Sequence, residues 1–303
     1  MPDSSILVPT KNGAEVIGDC LDAVYSQKGV GPFEVIVIDS GSTDATLEIA
    51  RLYPGRIEQI APETFHHART RNFAASIAQG EFLVFLSQDA IPASNTWLAA
   101  MLSNFSDPTV GAVYGRQLPK PGSSVERQYA LNTVYGEERL EKVPANREKL
   151  GFRYYHFSDA NAAIRKDVWQ ATRFPEDFKV FEDLGIAKRI LDAGGKIVYE
   201  PLACVYHSHN HTSMELFKRY FDIGVTFRRL GIWDEKTRSS MLQEVSRMVW
   251  SKLTQPGGNG ASRRSHASVR QDFAKSAGLF LGLYERYLPV ALKRFSSAYH
   301  LFE

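Results

Sequence analysis

Five short stretches of the sequence carry side chains that could do chemistry together. Asp39 closes the apolar run Val35-Ile36-Val37-Ile38, where a carboxylate is costly unless something pairs with it. Ser87-Gln88-Asp89 follows a second apolar run, Phe82 to Leu86. Glu182 and Asp183 are adjacent carboxylates opening an amphipathic helical pattern, placed either to move a proton or to cap the helix. His207 and His209 lie two apart at the end of an extended segment, so their rings share a face if the strand persists. His67, Arg69 and Arg71 open another helical pattern, and a helix N-terminus favours anions.

These residues need a scaffold, and the first 210 residues supply one. Ser5 to Val8, Glu34 to Asp39 and Phe82 to Leu86 read as strands, the second so rich in β-branched residues that both its faces should be buried. Helical patterns run from Ala14 to Gln27, from Ser42 or Thr43 as a cap through Tyr53, from His67 to Gln79 and from Ser94 to Phe105. Strand and helix alternating at this spacing predict βαβ units in an open, doubly wound α/β sheet. Further strands are expected at Gly111 to Gly115, at Ala160 to Arg165 and as two short pieces around Pro201. Helical stretches are expected from Ser124 to Leu150 and from Phe181 to Ala193.

Open α/β sheets bind ligands at the carboxyl ends of their strands. Pro9 and Thr10 after the first strand, Asp39-Ser40-Gly41-Ser42 after the second and Ser87-Gln88-Asp89 after the third are therefore the candidates. Val8-Pro9-Thr10-Lys11-Asn12-Gly13 holds neither a dinucleotide-binding glycine pattern nor a Walker A loop, which excludes NAD chemistry and P-loop phosphotransfer.

In this order the motifs resemble family 2 glycosyltransferases of the GT-A fold. The resemblance runs through Val8 to Asn12, Glu34 to Asp44, Arg71-Asn72, Gly80-Glu81-Phe82, Ser87 to Asp89 and Glu182-Asp183-Leu184. It implies a Rossmann-like open mixed sheet flanked by helices, with a C-terminal helical extension. It also implies an inverting, metal-dependent transfer from a nucleotide-sugar donor. Asp39 would then contact the nucleotide, with Pro9, Thr10, Asn12, His67, Arg69, Arg71 and Gln88 on the donor. Asp89 would hold Mg2+ or Mn2+ with a histidine, His207 or His209, although Ser87 stands where the family usually has the first carboxylate of the metal motif. Asp183 would be the base, with Glu182 the neighbouring alternative, and Asp159, Asn161 and Glu182 would meet the acceptor. Phe65 to Asn72, Leu86 to Pro92 and Leu216 to Gly224 resemble bacterial rhamnosyltransferases that use dTDP-L-rhamnose, which implies a lipid-linked saccharide acceptor in surface polysaccharide synthesis. A polyprenyl-phosphate glycosyltransferase and a non-catalytic scaffold subunit are the alternatives.

Composition narrows the class further. The 303 residues are 44% hydrophobic and 23% charged, ordinary values for a globular chain. Cys20 and Cys204 are too few and too far apart for a disulfide framework, and the N-terminus lacks a signal-peptide pattern, so a cytoplasmic protein is expected. No apolar run is long enough to span a membrane. The net charge of +2 is uneven: residues 212–303 carry 15 Lys and Arg against 8 Asp and Glu, and the rest is acidic. A catalytic domain over 1–211 and a basic helical region over 212–303, with a flexible break near 255–266, are therefore expected. Aromatic and basic residues in that tail could lie on the inner face of the plasma membrane. Nucleic acid is not expected as a partner, because no recognised binding module is present.

Overall fold

The computed structural model describes residues 1–123, 128, 131–132, 134–209, 211–233 and 266–302. They form two compact units, residues 1–178 with 182–208, and residues 179–181 with 209–303. The expected break from residue 255 onward, up to residue 265, lies outside the described residues, as does most of the stretch 124–130 that opens the helix expected to reach Leu150.

The first unit is built on β1 (Ser4–Thr10), β2 (Phe33–Asp39), β3 (Arg56–Gln59), β4 (Phe82–Leu86), β5 (Ile91–Pro92), β6 (Val110–Leu118), β7 (Leu140–Lys142), β8 (Asn161–Arg165) and β9 (Lys196–Tyr206). They join one mixed sheet in the order β3-β2-β1-β4-β8-β6-β9-β5, with β7 paired to β9. The first four in that order run parallel, and β8 is antiparallel to both β4 and β6. Helices α1 (Ile17–Tyr25), α2 (Thr46–Ala50), α3 (His67–Ile77), α4 (Trp97–Leu102), α5 (Arg147–Leu150), α6 (Lys166–Thr172) and α7 (Glu182–Asp192) complete the unit. Ile6, Val8, Val35, Val37, Val84 and Leu86 form one core with Ile17, Leu21 and Val24 of α1 and with Trp97, Leu98 and Met101 of α4. As its composition predicts, β2 is buried from Val35 to Asp39.

Register decides which residues meet. Thr10 lies directly beside Asp39 at the ends of β1 and β2. Leu86, the last residue of β4, faces Asn161, the first of the antiparallel β8. Tyr114 of β6 faces Ala162, and Leu118 pairs with Tyr206 at the end of β9. One sheet edge therefore gathers the segments that follow β1, β2, β4, β6 and β9, together with the one that precedes β8.

Asn161 anchors that edge from within. It is fully buried; its Oδ1 accepts from Trp97 Nε1 at 2.8 Å and its Nδ2 donates to Ala203 O at 2.9 Å and Arg116 O at 3.3 Å. These bonds tie β8 to α4, β6 and β9, so the amide expected at the acceptor is engaged within the sheet.

Several elements depart from the sequence reading. α2 is a short helix starting at Thr46, whose backbone N–H donates to Asp44 Oδ1 at 3.1 Å, so neither Ser42 nor Thr43 is its cap. The chain then forms β3, which the sequence reading missed. Within the expected helix to Leu150, residues 140–142 instead pair with β9 as β7. The two strands expected around Pro201 are one, β9, whose pairing with β6 shifts register between Gly115 and Gln117.

In the second unit, α8 (Ser213–Arg229) packs against α9 (His266–Leu283), followed by α10 (Val290–Ser296). A Cβ on Gly224 would lie 2.4 Å from Leu279 O, and one on Gly282 would lie 2.0 Å from Phe221 O, so the two helix backbones touch through glycines. Leu216, Phe221, Val225 and Phe227 of α8 are buried, as an aromatic stripe at helical spacing predicts.

Candidate active site

The loops after β1, β2 and β4 hold one another through side chains. Asp39 is fully buried; its carboxylate accepts from Gly41 N at 3.0 Å, from Ser42 N at 3.1 Å and from the Ser42 hydroxyl. This closes a turn in which Gly41 takes φ +85°, and a Cβ there would lie 2.3 Å from Pro62. Asn12, at φ +46°, accepts from Thr43 N at 2.9 Å, and its own N–H donates to Ser42 Oγ at 2.9 Å. Asparagine tolerates this left-handed backbone better than most residues. Gln88 accepts from the Thr10 hydroxyl and from Lys11 N at 3.1 Å, and donates to Lys11 O at 3.1 Å. Thr10, Asn12, Asp39 and Gln88, all expected on the donor, thus form a stitched rim at the sheet edge, with Pro9 half-buried beside them.

Asp89 and His207 converge beside that rim. Asp89 Oδ1 lies 3.4 Å from His207 Nε2, and Lys120 Nζ lies 3.8 Å from Asp89 Oδ2. The other imidazole nitrogen, Nδ1, sits 2.9 Å from Gln117 Oε1, while Gln117 Nε2 donates to Ser158 Oγ at 2.9 Å. The Gln117 amide, bonded to Ser158, holds the His207 ring from behind at Nδ1, with Nε2 on the side of Asp89. A carboxylate oxygen and an imidazole nitrogen oriented from behind are a fitting donor set for Mg2+ or Mn2+, whose remaining positions take water and phosphate oxygens. Gln117 and Lys120 lie beyond Gly115, where the sequence pattern ends the strand that in fact runs to Leu118. A polar residue buried late in a β-rich run, as Gln117 is, was the available signal. His209 opens the second unit, its ring 6.0 Å from that of His211.

The third group surrounds Arg71. Its Nη1 donates to Glu182 Oε1 at 2.7 Å, its Nη2 donates to Asp159 Oδ1 at 2.9 Å, and its Nε lies 2.7 Å from Asp159 Oδ2. The guanidinium, expected on the donor, is instead occupied by two buried carboxylates. His67 Nδ1 stands 3.8 Å from the same Glu182 oxygen, and Arg69 is exposed and pairs with Glu176 at 3.5 Å. Asn72 fixes the next loop: its Oδ1 accepts from Phe174 N and Trp169 Nε1, both at 3.1 Å, and its Nδ2 donates to Phe174 O at 3.0 Å.

Asp183 follows Glu182 at the start of α7 and accepts from Leu184 N at 2.8 Å. It makes no ion pair among the described residues. Burial, reinforced by the charges of Asp159 and Glu182, holds its carboxyl well above the usual carboxylate range. Burial also raises Asp159, with Arg71 opposing. One cation cannot neutralise three acids, so the acid without a cationic partner keeps its proton most firmly. A carboxylate of raised proton affinity is the stronger base once it is ionised.

Comparison with known proteins identifies the family of the chain. Residues 5–172 match the family model Glycosyl transferase family 2. The O-antigen chain rhamnosyltransferase WbaN of Salmonella anatum is 36% identical over 99% of this chain and 95% of its own length. The O-antigen chain rhamnosyltransferase RfbN of Salmonella typhimurium is 35% identical over 97% of this chain and 94% of its own length. Among solved structures, TarS 1-349 of S. aureus superimposes with a TM-score of 0.60 at 19% identity, covering 94% of this chain and 82% of that one. The mannosyltransferase PcManGT of Pyrobaculum calidifontis, in complex with GDP-Man and Mn2+, gives 0.57 at 20% identity, covering 96% and 74%. The fold is GT-A.

Removing Arg71 leaves two buried carboxylates without their counter-charge. Arg71→Ala is therefore expected to lower stability in denaturant titrations at pH 7 by about 3–5 kcal/mol, while nucleotide affinity changes less than twofold. A variant as stable as the wild type that has lost nucleotide binding would return Arg71 to the donor site.

Proposed function

Because the chain belongs to glycosyl transferase family 2, we propose that it moves L-rhamnose from dTDP-L-rhamnose to a hydroxyl of a lipid-linked saccharide in bacterial O-antigen synthesis, inverting the anomeric carbon. The near full-length similarity to two O-antigen chain rhamnosyltransferases supports the sugar and the product class. The observation that carries the chemistry is Asp183, a carboxylate with raised proton affinity beside the Arg71-held acids.

In this reading the Asp183 carboxylate takes the proton of the acceptor hydroxyl while that oxygen bonds to the anomeric carbon. The bond from that carbon to the diphosphate oxygen breaks on the opposite face, and its electron pair leaves with dTDP. One base suffices for such a displacement, unlike the carboxylate pair of a hydrolase. The rim of Thr10, Asn12, Asp39 and Gln88 borders the nucleotide. Asp89 and His207, with His209 as the other candidate imidazole, would hold the divalent cation, which when bound neutralises charge on the departing diphosphate. Asp159 and Glu182 shape the acceptor side through Arg71.

Calorimetry with dTDP-L-rhamnose, UDP-glucose and GDP-mannose, each with Mn2+ and with EDTA, tests the donor. Metal-dependent preference for the dTDP sugar is expected, reduced at least tenfold in Asp89→Ala. Preference for UDP or GDP sugars would discard rhamnose, and binding of none would favour the scaffold alternative. Product from a polyprenyl phosphate alone would favour the other enzyme reading.

Asp183→Asn should abolish transfer with donor affinity intact, and it should also raise the melting temperature at neutral pH. The sign follows from linkage. A folded pKa above the unfolded one means that ionising Asp183 opposes folding as pH rises through the folded value, and an amide removes that opposition. For the same reason wild-type kcat should fall on the acid side at a pH above the ordinary aspartate value of about 3.9. Retained activity in Asp183→Asn would remove it as the base.

No helix among the described residues is long and apolar enough to cross a membrane. Phe273 and Phe295 are nonetheless 72% and 57% exposed within the basic second unit. This supports peripheral docking on the cytoplasmic leaflet, where a lipid-linked acceptor would be met. Co-sedimentation with phosphatidylglycerol vesicles is expected, weakened by salt and by Phe273→Ser with Phe295→Ser. Equal recovery with and without vesicles would exclude it.

A further inference from the structure

A diphosphate is held best where cationic groups stand beside it, and the arginines expected to supply that charge are engaged elsewhere. Arg71 is taken up by Asp159 and Glu182, and Arg69 pairs with Glu176. Lys120 is a basic side chain that the fold brings to the rim from another element, the segment after β6. Its Nζ stands 3.8 Å from Asp89 Oδ2, with the lysine side chain 33% exposed and the aspartate 20%. Gln88, the residue before Asp89, is bonded to Thr10 and Lys11 of the rim.

The backbone at Lys120 is fixed by the segment that carries His207. Leu118, the last residue of β6, pairs with Tyr206, and His207 N donates to Leu118 O at 3.0 Å. Lys120 N donates to Ser208 Oγ at 3.2 Å. The stretch after β9 therefore brings the imidazole to Asp89 and also anchors the root of the lysine, so both groups approach the carboxylate from one place. Lysine is a compact charge on a flexible stem, so from a fixed root its ammonium can pass between neighbouring acceptors.

We propose that Lys120 binds the diphosphate of the donor and stabilises it as it departs, its ammonium passing from Asp89 to a phosphate oxygen. The proposal rests on the transferase reading. A divalent cation and an ammonium contend for the one carboxylate and repel each other, whereas a diphosphate offers oxygens to both. In the transfer, the bond from the anomeric carbon to the diphosphate oxygen breaks and its electron pair stays on that oxygen, which gains negative charge. The acceptor oxygen bonds to the carbon and its proton goes to Asp183. An ammonium already in place meets the new charge and keeps its own protons. Lys120 therefore acts with opposite sign on the two ligands: it weakens binding of the bare cation and strengthens binding of the diphosphate.

Lys120→Met keeps most of the side chain and removes its charge. Calorimetry on the full chain with Mn2+ present should show dTDP affinity falling about tenfold or more, with thymidine, which has no phosphate, bound within about twofold of the wild type. Mn2+ titrated without nucleotide should bind about threefold more tightly to this variant, because the ammonium no longer contends for Asp89. At saturating donor kcat should fall about tenfold or more. Lys120→Arg, which keeps the charge, should hold dTDP affinity within about fivefold of the wild type. Unchanged dTDP affinity in Lys120→Met would overturn the proposal. So would dTDP, thymidine and Mn2+ affinities that fall together, which marks a merely structural role. If the wild type bound UDP or GDP sugars in place of dTDP-L-rhamnose, the rhamnose reading would fall, and the same comparison of that diphosphate with its nucleoside would still decide the role of Lys120.

Discussion

A single buried guanidinium among three carboxylates sets the character of this site. Arg71 is 11% exposed, and its partners Asp159 and Glu182 are 8% and 6% exposed, so the attraction works in a poorly solvated place where an unpaired charge would be expensive. The three groups come from α3, from the loop before β8 and from the first residue of α7, so the ion pairs also fasten those elements together. Asn72, the next residue on α3, does the same for the loop that leads toward α7. The consequence for chemistry falls on Asp183. Arg71 is engaged by its two neighbours, and the third acid feels their negative charge with little relief. On the proposed reading, an ion-pair network that looks structural therefore adds to what burial does to the base.

The opposite rim is organised by hydrogen bonds rather than by ion pairs. Asp39, Asn12 and Gln88 direct their polar atoms at the backbone of their own and neighbouring loops, fixing those turns. On the proposed reading this changes how they would act in ligand recognition. A side chain that shapes a loop presents the backbone of that loop to the ligand, and the ligand then meets a rigid edge whose ordering cost has been met on folding.

Much of this was legible in the sequence because the signals were local. Residues 33–39 announce a buried strand by composition, and carboxylates at strand ends announce a site once the sheet is assumed. The sheet edge follows from such signals, and the GT-A architecture and the candidate catalytic pair from the family resemblance of the motifs. What escaped depended on distant partners. The two acids held by Arg71 stand 88 and 111 residues away, and a basic first turn of a helix reads equally well as an anion site. Asn161 looked like a polar residue at a strand end, yet its bonds reach Trp97 and Ala203, which only the fold brings near. β7, three residues long, carries too little periodicity to compete with a helical pattern, and its pairing with β9 overrides local preference.

Ser87 bears on how the metal and donor arrive. With a serine in place of one carboxylate, and with the Gln88 amide bonded to the Lys11 backbone, Asp89 is the carboxylate that this turn offers. Lys120 at 3.8 Å already faces it, so its charge is partly answered by the protein, and Nε2 of His207 lies 3.4 Å away. A cation entering alone would gain one carboxylate and imidazole nitrogen while contending with the ammonium of Lys120. On the proposed reading a diphosphate accompanying the cation would add negative charge that the ammonium of Lys120 attracts rather than repels. On the proposed reading, the substitution at Ser87 makes the metal and the nucleotide sugar strongly dependent on each other, so that cation affinity is a property of the donor complex more than of the protein alone.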